Sequence, residues 1–217
     1  MGRNKQFAVI GLGRFGQSLV KTLVENGCDV LCCDKDIEIV NEMSKYGCHS
    51  VQGDVTDVHV LEQFGLNNFD VVVIAIGEDM QASVLSTMMA KELGAKFVIA
   101  KAKSDIQKAI LEKVGADRVV LPEMDMGVRI ANTLITTNII DYIDLSDKFA
   151  IVEIAPLKTW INNSILDSNV RAKYGINIVA IKRDCNIIVS PLPTEIIKEQ
   201  DILVVVGKTD VIQKINN

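Results

Sequence analysis

Short, almost unbroken apolar stretches recur along the first two-thirds of the chain, each followed by a segment of helical period. Residues 6–11 are an apolar strand that ends in glycine. Residues 14–26 place Phe15, Leu19, Leu23 and Val24 at helical spacing and stop at Gly27. A strand over 29–34, a helix over 36–46 closed by Gly47, a strand over 49–53 and a short helix near 58–64 follow. Residues 70–77 are continuously apolar, as in a strand covered on both faces, and 80–93 predict a helix before Gly94. Segments 96–101, 106–114 and 118–121 repeat the unit. Strands alternating with helices predict an α/β fold: a Rossmann-like, doubly wound parallel sheet with helices on both sides.

Pro122 then opens a helical stretch over about 123–137, with proline and acid where a first turn favours them. The run from Thr136 to Ile140 is poor helix-interior material, and 141–148 read as a crossover or hinge. The character changes after that point. Residues 149–155, 176–182, 186–190 and 202–206 predict short strands, with one helix over 210–215 and a second near 169–174. The expected organisation is a nucleotide-binding domain over 1–122, a crossover helix and hinge over 123–147, and a small α+β domain over 148–217.

The pattern around residue 11 brings in chemistry. Gly11-Leu12-Gly13-Arg14-Phe15-Gly16 is a GxGxxG motif between a strand and a helix. Its glycines suit a tight turn, close approach of a phosphate and close helix packing, and the helix N-terminus offers free N–H groups. Asp34 ends the second strand 18 residues past Gly16, where a ribose-binding acid belongs. Arg14 puts a positive charge in the first helical turn, against the macrodipole. It is explained either by a third phosphate beyond the two that the backbone meets, or as a solvated surface side chain. No Walker-type GxxxxGK[ST] loop occurs, and the residues after 148 offer no histidine and no dense acid/base cluster of the kind a dehydrogenase needs. The expectation is a binding protein rather than an enzyme.

Composition narrows this further. The net charge of −5 argues against nucleic acid as the main partner, since phosphate binding needs a basic footprint. The longest strongly apolar run, 71–76, has strand length, and residues 1–6 are polar and lead straight into a strand. The expectation is a cytoplasmic protein without direct membrane insertion, acting at a membrane only by docking on a membrane protein. Cys28, Cys32, Cys33, Cys48 and Cys185 show no CxxC spacing and read as thiols in a reducing compartment; His49 and His59 stand apart from any metal-like cluster.

Five segments together carry a more specific likeness: FAVIGLGRFG at 7–16, VVVIAIGEDMQAS at 71–83, GADRVVLPEMDMG at 115–127, DYIDLSD at 141–147 and NVRAKYG at 169–175. The chain resembles the regulator-of-potassium-conductance (RCK) subunits of bacterial Ktr potassium-uptake systems over nearly its whole length. That resemblance implies dimers assembled into an octameric ring beneath a dimeric, KtrB-like membrane potassium transporter. It implies that ATP and ADP compete for the N-terminal site and shift the ring between shapes. Arg14 would sense the γ-phosphate, Asp34 would hold the ribose, Asp54 would lie near the base, and Lys35 would be a further nucleotide-binding position. Ala75, Ile76, Gly77 and Lys101 would line the same cleft. Glu123 matches an acid that coordinates a Mg, Ca or Na ion in some members; helix capping after Pro122 is the equal alternative. The C-terminal domain resembles those that bind cyclic di-AMP, with Ile165, Arg171, Asn177, Ile178 and Pro193 as the matching positions. Arg171 would meet a phosphate and the apolar residues would cover adenine, or Arg171 is a surface residue of an inert dimerisation domain. The pair Lys101 and Lys103 departs from relatives with arginine or non-basic residues there, which bears on phosphate geometry because lysine cannot form a bidentate contact. An NAD(H)-dependent oxidoreductase or an NAD-binding redox sensor remains the alternative reading of the glycine motif.

Overall fold

The computed structural model describes residues 5–135, 139–146, 148–212 and 215. The chain divides into two compact units, Met1–Met124 and Asp125–Asn217.

In the first unit the strands are β1 (Gln6–Ile10), β2 (Asp29–Asp34), β3 (His49–Gln52), β4 (Val71–Ile74), β5 (Val98–Lys101) and β6 (Arg118–Val120). The helices between them are α1 (Arg14–Glu25), α2 (Ile37–Ser44), α3 (Val58–Gln63), α4 (Met80–Glu92) and α5 (Asp105–Lys113). All six strands are parallel, in the order β3-β2-β1-β4-β5-β6. Successive residues of a strand face opposite ways, so β1 sends Ala8 and Ile10 into one apolar layer and Val9 into the other. Leu61 of α3, Ala90 of α4 and Leu111 of α5 complete the first layer; Val20 of α1 with Val40 and Met43 of α2 complete the second. Each such large side chain contributes roughly 1.5–3 kcal/mol when fully buried. The doubly wound sheet anticipated from the alternating pattern is therefore the observed one. Its order reverses between β1 and β4, which opens a crevice at the strand C-termini.

The helix α6 (Pro122–Ile135) leads out of the first unit. The second unit is a five-stranded antiparallel sheet of β7 (Ile139–Ser146), β8 (Phe149–Ile154), β9 (Asn177–Arg183), β10 (Asn186–Val189) and β11 (Ile202–Lys208), ordered β10-β9-β11-β8-β7. Two short helices, α7 (Ile165–Ser168) and α8 (Val170–Tyr174), precede β9, and α9 (Thr209–Ile212) follows β11. The core centres on Trp160, Tyr142, Val152, Ile181 and Leu203, and the Trp160 ring meets Tyr174 edge-on with centroids 5.5 Å apart.

Where a crossover or hinge is expected over 141–148, residues 141–146 are strand. Most of that segment is β7, paired antiparallel with β8, with Tyr142 pointing into the core. Two register irregularities, between Ile139 and Asp141 and between Asp144 and Ser146, break the period-2 alternation by which a half-buried strand is read. Exposed Ile143 and Leu145 and the ion-paired Asp141 then look like a linker. The helix α7 was not anticipated either; four residues are too few to show a period, and it is fixed by Ser164, whose Oγ accepts from Asp167 N at 3.0 Å. The expected helical ends at 136–137 and 213–214 lie outside the described residues. Among the described residues no helix is long and apolar enough to cross a membrane.

Candidate functional site

The helices α2 to α5 each begin with a side chain that accepts a hydrogen bond from the first turn: Asp36, Asp57, Asp79 and Ser104. Alone among α1–α5, α1, which starts after Gly13, has no side-chain cap, and its first turn carries no acid. Its orphan N–H groups and positive dipole end are left for something else, and an anion is what they suit. The loop before it is held tightly. Gly11 has φ +95°, and a Cβ on Gly16 would lie 2.0 Å from the Gly11 carbonyl oxygen, so helix and loop touch through bare backbone.

A cavity of about 350 Å³ opens beside this loop, at the C-terminal ends of the strands. Gly11 and Gly13, Asp34 and Lys35, Asp54, and Ala75, Ile76 and Gly77 line it, which brings together eight of the anticipated nucleotide positions from four separate loops. The Asp34 carboxylate accepts from Leu12 N at 2.6 Å and from Asp36 N at 3.0 Å, so the acid at the end of β2 also ties down the glycine loop. Asp54 accepts from Thr56 N and Oγ1, and these bonds hold its carboxyl below the usual carboxylate range. Leu12 and Phe15 are not part of the lining: Leu12 is fully buried with its N–H bonded to Asp34, and Phe15 is half-buried, with the Lys101 ammonium 5.8 Å from its ring centre.

Arg14 is exposed on the first residue of α1 and is not part of the cavity lining. Lys101 is nearly buried, and its Nζ lies 2.7 Å from Glu123 Oε1; this bond is the main cause holding the Glu123 carboxyl below its ordinary range. Among the described residues there is no group of three or more His, Cys, Asp or Glu side chains suited to hold a metal. Glu123 therefore offers a cation one carboxylate, already engaged by an ammonium.

Sequence reasoning missed Cys33, Gly53, Val55, Thr56, Glu78, Asp79 and Ala82, which complete the lining. Asp79 carried a signal, as the cap of a predicted helix immediately after an apolar strand: its Oδ1 accepts from Ala82 N at 2.9 Å. Burial, reinforced by nearby Asp34 and Asp54, pushes the Cys33 thiol up to about 12. The lining carries Asp34, Asp54, Glu78 and Asp79 against one lysine, Lys35, with Glu78 ion-paired to Lys103 just outside it. A phosphate there depends on backbone N–H groups and the α1 terminus rather than on net charge.

The second unit holds a larger, open cavity of about 680 Å³. Ile165, Arg171, Asn177, Ile178 and Pro193 all line it, although they come from α7, α8, the start of β9 and the segment after β10. Leu166, Asn169, Val170, Ala172, Ile176 and Pro191 complete it. Arg171 is exposed there among mostly apolar neighbours.

Comparison with known proteins agrees with this architecture. The TrkA-N domain family matches residues 7–122 and the TrkA-C domain family residues 149–217. Ktr system potassium uptake protein C of Bacillus subtilis (strain 168) is 50% identical over 208 residues, covering 95% of this chain and 94% of its own length. Ktr system potassium uptake protein A of the same organism is 47% identical over 219 residues, covering 100% and 99%. The solved structure of the GsuK channel bound to NAD shares the fold, with a TM-score of 0.69 at 18% identity over 96% of this chain and 38% of that one. With both domain families matched in order and near-half identity sustained from end to end, the chain belongs to the Ktr family of potassium-uptake proteins.

Proposed function

We propose that the chain is the cytosolic, nucleotide-gated regulatory subunit of a potassium-uptake system, with ATP and ADP as ligands of the first cavity. The observation that carries this is the uncapped N-terminus of α1, set on a glycine loop beside a crevice that Asp34 lines. Phosphates take the place of the missing cap, and the ribose hydroxyls donate to Asp34. The partner is a membrane potassium transporter subunit of the KtrB type, and the working assembly is an octameric ring of dimers. Exposed Met126, Val128, Ile130 and Leu134 on α6 supply apolar surface for such assembly. A cation at Glu123 has to displace Lys101 and draw its other ligands from the nucleotide phosphates or a second copy. The second cavity takes cyclic di-AMP, its apolar walls covering adenine and Arg171 meeting a phosphate.

A dinucleotide is the second reading of the first cavity. It is favoured by one fact: Arg14, the side chain that would recognise a third phosphate, stands outside the lining. A thermal-shift panel of ATP, ADP, NAD and NADH separates the readings, because a ligand that binds only the folded state raises its melting point. ATP and ADP are expected to raise it more than NAD or NADH. Arg14→Ala should then lower ATP affinity more than ADP affinity, since only the γ-phosphate differs between the two. Stabilisation by NAD alone overturns the ATP/ADP reading, and equal losses for ATP and ADP make Arg14 a general anchor.

A further inference from the structure

The second cavity has two walls with regular structure and one without. Ile165 and Arg171 stand on helices and Asn177 on β9, but Pro191 and Pro193 belong to a segment, 191–201, whose only ladder contact is a single bridge from Ile196 to Ser164. Something else has to fix that wall. On the helix side, Leu166 N donates to Pro193 O at 2.9 Å and Ile165 N to Glu195 O at 3.0 Å. On the sheet side stands Arg183, the last residue of β9. Its Nε and Nη2 form a fork with Asp201 Oδ1 and Oδ2 at 2.7 and 2.9 Å; Nη1 donates to Glu195 Oε1 at 2.9 Å and Nη2 to Ile196 O at 2.9 Å. Asp201 has a fully buried side chain and also accepts from Lys198 N at 2.8 Å. One guanidinium thus gathers three points of the irregular wall and pins them to the strand that carries Asn177 and Ile178.

We infer that Arg183, working through Glu195 and Asp201, is a positioning residue for the second cavity: it presets the Pro191–Pro193 wall at the spacing a ligand needs. Planar, five-donor guanidinium chemistry suits this role, since one group satisfies two carboxylates and a carbonyl at fixed angles. A ligand meeting a wall already in place does not have to order it on binding, and that saving appears as affinity. The inference rests on the reading of this cavity as a cyclic di-AMP site.

The test uses the full-length chain and cyclic di-AMP, with calorimetry for affinity and Trp160 fluorescence for the melting temperature. Glu195→Ala removes the side-chain tether but keeps the backbone bond to Ile165 and the buried Arg183–Asp201 pair, so the unit should fold. It is expected to weaken cyclic di-AMP about tenfold. Glu195→Gln keeps an oxygen for Arg183 Nη1 and should restore binding to within about twofold. A lowered melting temperature with unchanged affinity in Glu195→Ala overturns the inference, because the tether is then structural only. Equal losses in both variants overturn it too, by making the charge rather than the tether the cause. No binding by the unaltered chain removes the cyclic di-AMP reading, and the inference with it.

Discussion

The cavity beside the glycine loop and the cavity of the second unit are built in opposite ways. The first is framed by glycines, strand ends and a helix terminus whose position follows from the order of six parallel strands. Two short helices, one strand end and an irregular segment make the second, which side-chain bonds to Arg183 hold in place. Parallel strands force their connections to the same edge of the sheet, so a crevice appears there whatever side chains are present. An antiparallel sheet makes no such crevice of its own. A cavity beside one has to be assembled from tertiary contacts, and a buried ion cluster is one way of specifying it.

This contrast is open to direct attack. The largest effect is expected from Gly16→Ala, whose new methyl group meets the Gly11 carbonyl at 2.0 Å. The loop or the helix must move, and the loss is about 4 kcal/mol or more. The sole tryptophan, Trp160, lies in the second unit, so its fluorescence reports that unit alone. Urea unfolding should show circular dichroism lost early while the Trp160 transition stays in place. A shift of the Trp160 transition equal to that in circular dichroism would join the two units into one cooperative block.

Arg183→Met is the converse. It leaves Asp201 buried without its partner at a cost of about 3–5 kcal/mol, and the Trp160 transition should move by that amount while ATP binding in the first cavity survives. An unmoved Trp160 transition would mean that water reaches Asp201. Smaller again is Asp34→Ala. Loss of one charge-assisted bond of the proposed ribose contact, worth about 1.5–3 kcal/mol, should weaken ATP and ADP by roughly tenfold to a hundredfold and leave cyclic di-AMP unaffected. Unchanged nucleotide affinity in calorimetry would confine Asp34 to tying down Leu12.

The smallest difference should appear in acid. Burial pushes the Asp201 carboxyl up, but the bonds from Arg183 and Lys198 outweigh it and bring the group below its ordinary range. The Arg129 fork, first, and the Tyr142 N–H lower Asp141 likewise. In both cases the folded pKa is the lower one, so below about pH 4 the unfolded chain binds more protons. Their stabilisation is complete above that range and fades as the pH falls through the folded values. The urea midpoint followed by Trp160 should fall between pH 5 and pH 3, and a flat profile would contradict the ion-pair account of the second unit.

The amino-acid sequence by itself determined the first unit to a large extent. Apolar runs of strand length, glycine stops and the GxGxxG motif act over a few residues, and they specify a doubly wound sheet and the place of its crevice before any long-range contact is known. Asp34 was legible for the same reason, because it ends a predicted strand 18 residues past Gly16. The five positions in the second cavity came from family resemblance; no periodicity marked them. Tertiary structure alone decided the rest. It turned 139–146 into an edge strand whose irregular register hides its alternation, and it left Arg14 outside the lining while bringing in Glu78 and Asp79. It also chose Asp201 and Glu195 as the partners of Arg183 across 18 and 12 residues of sequence. Such pairings depend on which surfaces meet after the strands have found their order, and no local pattern of hydrophobic and polar residues encodes that meeting.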